Sequence, residues 1–252
     1  AAGHELAMHY DAFNVDRPWC EANWIGQRRF LTEQFGGKAP ITNKNHYLRW
    51  QGDSEYWEWC ARGGVQLDQS KGPSKTGACF FTFGTCHPYL PVDTAGRFID
   101  VLELPTLTQD LLLTAPVSAV PALIHAVMSS HGVLHLLFHP AHIHKPGQAD
   151  AFIDAARQAR AAGLEWWTAA QINAWERARR QTRLSAHGGR CTVQTGAAEL
   201  PQATLLWLGP RAHTVTVDGT PRPAQTVQRW GFTFQSVIVD LRPETTSVLE
   251  VV

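Results

Sequence analysis

Histidine is concentrated where an apolar run ends. The segment "GVLHLLFHPAHIHKP", residues 132–146, carries His135, His139, His142 and His144, a third of the chain's 12 histidines. Imidazole titrates near neutrality and in its neutral form ligates divalent metals, so the cluster raises two chemistries, proton transfer and metal binding. His139 precedes Pro140, which fixes the exit from the strand, and a histidine held in this way suits a general acid or base. His135 points to the same face of that strand, deeper in, and reads as packing. His142 and His144 look like a metal cluster on paper, but they fall in the following loop and read as solvated.

Other polar residues also stand where apolar segments end. His9 and Asp11 close the first, His46 the second and Asp68 the third; His87 lies in "GTCHPY", and Asp110 follows "DVLELP". His9 and His46 at equivalent strand ends make a candidate pair of metal ligands. Asp11 reads either as a turn cap or as a ligand, and Asp68, two residues before Ser70, as an Asx turn. The chain has 10 tryptophans. Trp166 and Trp167 end a strand-like stretch, and Trp50, Trp57 and Trp59 surround a predicted helix. Sugars stack on aromatic faces, so a carbohydrate cleft is one reading of these rings and core filling is the other.

Positioning such residues at one mouth requires parallel strands joined by helices. A βα rhythm runs from residue 4 to about residue 182. Helices are predicted in "DRPWCEANWIGQRRFLTEQFGG", "SEYWEWCARGG", "SAVPALIHAVMSS", "QADAFIDAARQARAAG" and "TAAQINAWERARRQ", the last opened by a Thr168–Gln171 capping box. Strands are predicted in "HELAMHY", "APITNKNHY", "VQLDQS", "ACFFTFGTCHPYLP", "FIDVLELPTLTQD", "VLHLLFH" and "LEWW". This alternation implies a parallel sheet or an α/β barrel, whose chemistry sits at the C-terminal strand ends. From about residue 187 the pattern changes to short strands separated by Gly, Pro and Asp turns, as in "VDGTPRP". The expected organisation is a barrel over residues 1–186 and a small all-β, sandwich-like module over 187–252.

Bulk properties narrow the classes. The chain balances 22 basic against 22 acidic side chains, which leaves no electrostatic footprint for nucleic acid or an anionic membrane. No apolar run approaches the ~20 residues of a transmembrane helix. The five cysteines are scattered, with neither a disulfide framework nor a CxxC site; Cys79 and Cys86 could pair. No signal peptide opens the chain, and "AAGHELAMHYDAF" enters a strand-like pattern at once, from which upstream residues are expected to be missing.

The segments "GHELAMHYDA", "NHYLRW", "GVQLDQSKG", "FGTCHPYLP", "LHLLFHP" and "GLEWWTAAQINAWERAR" resemble a divergent branch of the NodB-homology polysaccharide deacetylases, in order as well as in content, over roughly residues 1–182. The resemblance implies a distorted (β/α) barrel, a divalent metal, usually zinc, and hydrolysis of acetyl groups on sugars. Carried over residue by residue, His9 matches the first histidine of the metal motif and His139 the late-strand catalytic acid. "CHPY", with His87, Pro88 and Tyr89, resembles the loop lining the substrate groove, and Trp167 would join it. The second motif histidine is replaced by Phe13, and His46 is proposed in its place. The family's paired aspartates belong on an earlier strand that this chain lacks, which leaves Asp11 and Asp68 as the candidate replacements.

This constellation implies a metal-dependent deacylase acting on carbohydrate. Zinc held by His9 and His46 would polarise the carbonyl, and His139 would protonate the leaving group. Two readings compete. One is a non-catalytic carbohydrate-binding or scaffold protein on a degenerate barrel. The other is a glycoside hydrolase, for which Asp100 and Glu103 are a poor pair because they point to opposite faces of a strand.

Overall fold

A computed structural model describes residues 3–13, 15–73, 85–208 and 214–251. The chain divides into two compact units, Ala1–Asn173 and Ala174–Val252.

The first unit contains the βα rhythm, with strands far shorter than its apolar segments predict. Helix α1 spans Glu21–Gln34 and α2 spans Glu55–Arg62. Strands β1 (Thr42–Asn43), β2 (Leu67–Asp68) and β3 (Leu102–Glu103) form a three-stranded parallel sheet in the order β1-β2-β3. A second parallel pair joins β4 (Thr108–Gln109) to β5 (Leu136–Leu137). Helix α3 (Val120–Ser130) has Pro121 in its first turn, where the missing N–H costs nothing. Helix α4 covers Gln148–Ala161 and α5 covers Ala169–Gln181.

The expected barrel does not form. Among the described residues the parallel strands fall into two separate sheets, and no ring of strands closes. The break lies in "LELPTLTQ", expected to be one strand. Pro105 has no N–H to give to a ladder, its carbonyl is taken by the ring of His135 at 3.1 Å, and the stretch separates β3 from β4. At β3 the neighbouring backbone is antiparallel, with Tyr89 bridged to Glu103. Two other predicted strands are reduced or lost. "HELAMHY" survives as a bridge from Met8 to Asn43. "LEWW" is not a strand: Leu164 N–H closes on the Ala159 carbonyl, and Trp166 is 62 % exposed. Most of the segment expected as "ACFFTFGTCHPYLP", and with it Cys79, lies outside the described residues; Cys86 is a buried free thiol.

Local signals fare better. Gln171 N–H donates to Thr168 Oγ1 at 3.2 Å and Thr168 N–H to Gln171 Oε1 at 2.8 Å, the two reciprocal bonds of a capping box opening α5. Helix α1 begins at Glu21 rather than near Asp16, because the Pro18 carbonyl turns to accept from Asn23 Nδ2 at 2.9 Å.

The second unit is antiparallel throughout. Strands β6 (Arg183–His187), β7 (Arg190–Gln194), β9 (Thr214–Val217), β10 (Thr220–Pro223) and β13 (Thr246–Val251) form a five-stranded sheet in the order β10-β9-β13-β7-β6. Strands β8 (Leu200–Trp207), β11 (Gln225–Arg229) and β12 (Phe232–Leu241) form a second sheet in the order β11-β12-β8. Val193, Val215 and Leu249 from the first sheet share one core with Ala203, Val237 and Leu241 from the second. Trp175 and Ala178 belong to the same core, which accounts for a division inside α5, ahead of the expected 186/187 boundary.

Candidate metal and proton-transfer site

Extended backbone alternates its side chains, and residues 8–13 follow that rule. Met8, Tyr10 and Ala12 are buried, whereas His9, Asp11 and Phe13 face outward. The segment is pinned to the chain around β1: Met8 N–H donates to the Thr42 carbonyl at 3.0 Å, and His46 N–H donates to the Tyr10 carbonyl at 2.8 Å. His9 and His46 therefore meet, with ring centroids 5.2 Å apart.

Each imidazole is oriented by its Nδ1. His9 Nδ1 lies 2.8 Å from the Lys44 carbonyl. A carbonyl only accepts, so Nδ1 carries the hydrogen and Nε2 keeps its lone pair. Partial burial draws the His9 pKa below its ordinary value; the bond to the Lys44 carbonyl opposes this, and the charges of His46, Lys44 and His139 reinforce it. His46 Nδ1 stands 3.1 Å from Asp11 Oδ1, and Arg17 Nη1 lies 2.6 Å from Asp11 Oδ2. Burial pushes the Asp11 carboxyl up, but hydrogen bonds from His46, the Phe13 N–H and Arg17 outweigh it and hold the group below the usual range.

His139 contributes to lowering the His9 pKa and belongs to a second group. Asp110 is 2 % exposed and sits at φ 35°, a conformation strained for a non-glycine residue. Its N–H donates to the Leu137 carbonyl at 2.8 Å, which fixes it beside β5. Its Oδ1 accepts the His139 N–H at 2.8 Å. Its Oδ2 lies 2.5 Å from His139 Nδ1 and 3.2 Å from His142 Nδ1. A single 3-10 turn over Pro140–His142, closed by His142 N–H on the His139 carbonyl at 2.9 Å, brings the two rings to one side, with centroids 5.2 Å apart. His142 Nδ1 is buried yet makes no hydrogen bond of acceptable geometry. Asp110, His139 and His142 thus form a group whose ligand atoms lie within 4.8 Å of one another and could hold a metal ion. One carboxylate and two imidazoles with an open side match the donor sets of catalytic divalent metals, and the orphaned His142 nitrogen fits a ligand role.

Asp68 has different surroundings. It is fully buried; Oδ1 accepts from Asn43 Nδ2 at 2.7 Å and from Ser70 Oγ at 2.9 Å, and Oδ2 accepts the Ser70 N–H at 3.0 Å, the Asx turn read from the sequence. The strand register places Asn43, Asp68 and Glu103 side by side. Glu103 accepts from Trp57 Nε1 at 2.9 Å and from the Lys71 N–H at 2.8 Å. Burial pushes both carboxyls up, and Asp68 raises Glu103 further by its charge and by their shared hydrogen bond. A retaining glycosidase needs carboxyls ~5 Å apart on either side of a sugar bond, whereas these two sit in register on adjacent strands, both fully buried. Asp100 is exposed, so it and Glu103 do point apart.

The expected groove residues are placed as follows. Tyr89 exchanges backbone hydrogen bonds with Glu103, at 3.0 and 2.8 Å, and burial, then the charges of Glu103 and Asp68, push its phenol above the usual range. Pro88 is buried and His87 half-buried, with the His87 N–H on Thr85 Oγ1 at 3.0 Å. Trp167 is 44 % exposed, and its Nε1 donates to Glu165 at 3.0 Å. His135 packs as read: its Nε2 meets Lys44 Nζ at 2.9 Å. His142, read as a solvated loop residue, is instead part of the metal-capable group. The i, i+3 spacing of His139 and His142 with Pro140 between them is the signal for a turn that aligns both rings. Asp110 gave no such signal, because its partners lie 29 and more residues away.

No family model matches the chain, and no curated protein matches it. Among solved structures, an Anoxybacillus alpha-amylase described as a new glycosyl hydrolase subclass is similar at 9 % identity and a TM-score of 0.29, covering 94 % of this chain and 57 % of that one. A likeness of that order carries no argument about fold or activity. No helix among the described residues is long and apolar enough to cross a membrane.

Proposed function

We propose that the chain is a metal-dependent hydrolase that removes an acyl group from a carbohydrate, with Asp110, His139 and His142 holding a zinc ion. The observation that carries this reading is Asp110 Oδ2, shared between two imidazole nitrogens of which one, His142 Nδ1, lacks a hydrogen bond. When bound, zinc supplies the Lewis acidity that polarises an acyl carbonyl.

The surrounding side chains divide the proton work. Partial burial draws the His9 pKa down and its Nδ1 is committed to the Lys44 carbonyl, so its Nε2 is the group suited to take up a proton. His46 is held through Nδ1 against the Asp11 carboxylate, which leaves its Nε2 as the atom placed to pass a proton to the leaving group. This differs from the assignment carried over from the deacetylases, in which His9 and His46 ligate and His139 is the acid.

The carbohydrate part of the proposal rests on exposed rings beside His46. Phe13 and Tyr47 are 57 % and 60 % exposed and stack with centroids 4.7 Å apart, and the His46 ring lies 4.4 Å from Tyr47. Tyr47 has φ 58° and Leu48 φ 50°. Strained backbone that holds an aromatic residue out in solvent favours a ligand-facing role over packing. Such rings offer the apolar face on which a sugar ring rests.

The test is acetate release from acetylated oligosaccharides by zinc-loaded protein. The reading predicts turnover that chelation abolishes and zinc restores. Stoichiometric zinc without turnover on any acetylated sugar would favour a non-catalytic binding protein, and failure to bind zinc would refute the proposal.

A further inference from the structure

A cleft of about 550 Å³ lies between α1 and α2, apart from the histidine site. Trp24, Ile25 and Trp59 give it apolar walls, and Arg28, Arg29, Arg62, Glu21 and Glu33 give it charge. Two of the three guanidinium groups are paired: Arg62 Nη2 with Glu21 at 2.7 Å, and Arg29 Nε with Glu33 at 3.2 Å. Arg28 has no carboxylate partner among the described residues, and its Nε is buried without a hydrogen bond. Arg28 is also confined: a Cβ on Gly64 would stand 3.4 Å from its Nη2, and one on Gly63 would overlap the Trp24 ring, so the α2 exit is pared to backbone at this wall.

An unpaired guanidinium with a desolvated donor is costly unless an anion meets it. Arg presents a planar fork of donors that matches a carboxylate. Arg29 and Arg62 are each met by carboxylates, Arg62 also by Glu58 Oε2 at 3.6 Å, so Arg28 offers the one fork with no carboxylate on it among the described residues, which fits a single carboxylate. The indole and isoleucine walls favour an anion with an apolar body. We infer that this cleft is a binding site for a small organic monocarboxylate, its carboxylate on Arg28 and its apolar body against Trp59 and Ile25.

Titration calorimetry at constant ionic strength tests this with benzoate, benzyl alcohol and inorganic phosphate as probes. Saturable benzoate binding is expected, weakened at least tenfold in Arg28→Gln and in Ile25→Asp and retained in Arg29→Gln, with little binding of benzyl alcohol or phosphate. Because the Arg28 guanidinium has no carboxylate partner among the described residues and its Nε is buried without a hydrogen bond, Arg28→Gln should fold with a Tm equal to or above the parent's. Four outcomes would overturn the inference: no saturable benzoate binding, benzoate binding that survives in Arg28→Gln, phosphate binding that matches benzoate and so marks an adventitious ion only, or an Arg28→Gln protein that fails to fold.

Discussion

Two groups of acids and their partners in the first unit can be set side by side. In the row Asn43–Asp68–Glu103 the carboxyl oxygens are met by Asn43 on the next strand, by Ser70 and the Lys71 N–H just past β2 and by Trp57 on α2, and both acids are fully buried. Around Asp110 the carboxylate is as buried, but its neighbours are two imidazoles about a third exposed, one with an orphaned nitrogen. The first group is closed and the second keeps capacity to spare. A buried acid by itself therefore does not mark a site. What distinguishes the two is whether the hydrogen-bond inventory around the acid is complete.

That comparison can be broken most forcefully at Asp110. Asp110→Ala should abolish zinc binding and lower kcat/KM by about 10³-fold or more, with far-ultraviolet circular dichroism unchanged; full activity in this variant would dissolve the distinction. Asp68→Ala should do the reverse. It leaves the Ser70 hydroxyl and N–H without their acceptor and removes one of the three partners of Asn43 Nδ2, and should cost about 3 kcal/mol or more in a denaturant titration. Zinc per folded molecule should stay constant, and a stable but inactive Asp68→Ala protein would return Asp68 to the catalytic machinery.

The pH dependence sharpens the same contrast. A base must be deprotonated to act, and His9 is depressed from its ordinary 6.5, so the acid limb of kcat/KM against pH should fall below pH ~6.5. His9→Ala should remove that limb, and a limb that persists would assign it elsewhere. The smallest effect concerns Lys44, which lies deep beside Asp68 and Glu103 while keeping some accessible surface. Burial draws its amine down to about 7, and the two carboxyl charges oppose the shift. A base depressed on folding binds fewer protons in the native state, so its cost is full below the folded value and is relieved as pH rises towards ~10.4. Stability should therefore gain a component between pH ~7 and ~10 that Lys44→Met removes. The same rise in the variant would exclude Lys44 as its origin.

Local chemistry was legible in the sequence. The Thr168–Gln171 box, Pro121 in the first turn of α3 and the Asx turn at Asp68 all act within a few residues, where side-chain type decides backbone geometry. Closure into a barrel was not. It depends on whether each apolar run pairs along its length, and Pro105 with the antiparallel bridge at Tyr89 stopped that. The juxtaposition of His9 and His46 could be read from equivalent strand ends, because a bridge from Met8 to Asn43 sets the register. Asp110 could not be assigned to His139 and His142, since that pairing depends on β4 lying against β5. The αL-like turn that aims its carboxylate has no glycine or asparagine to announce it.

The most direct test is zinc binding by calorimetry on the parent and on Asp110→Ala, His142→Ala, His9→Ala and His46→Ala. The account predicts one ion per chain in the parent, loss of binding in the first two variants and retention within a few-fold in the last two. Loss in His9→Ala and His46→Ala, with Asp110→Ala still binding, would contradict it and move the metal to the other pair of imidazoles.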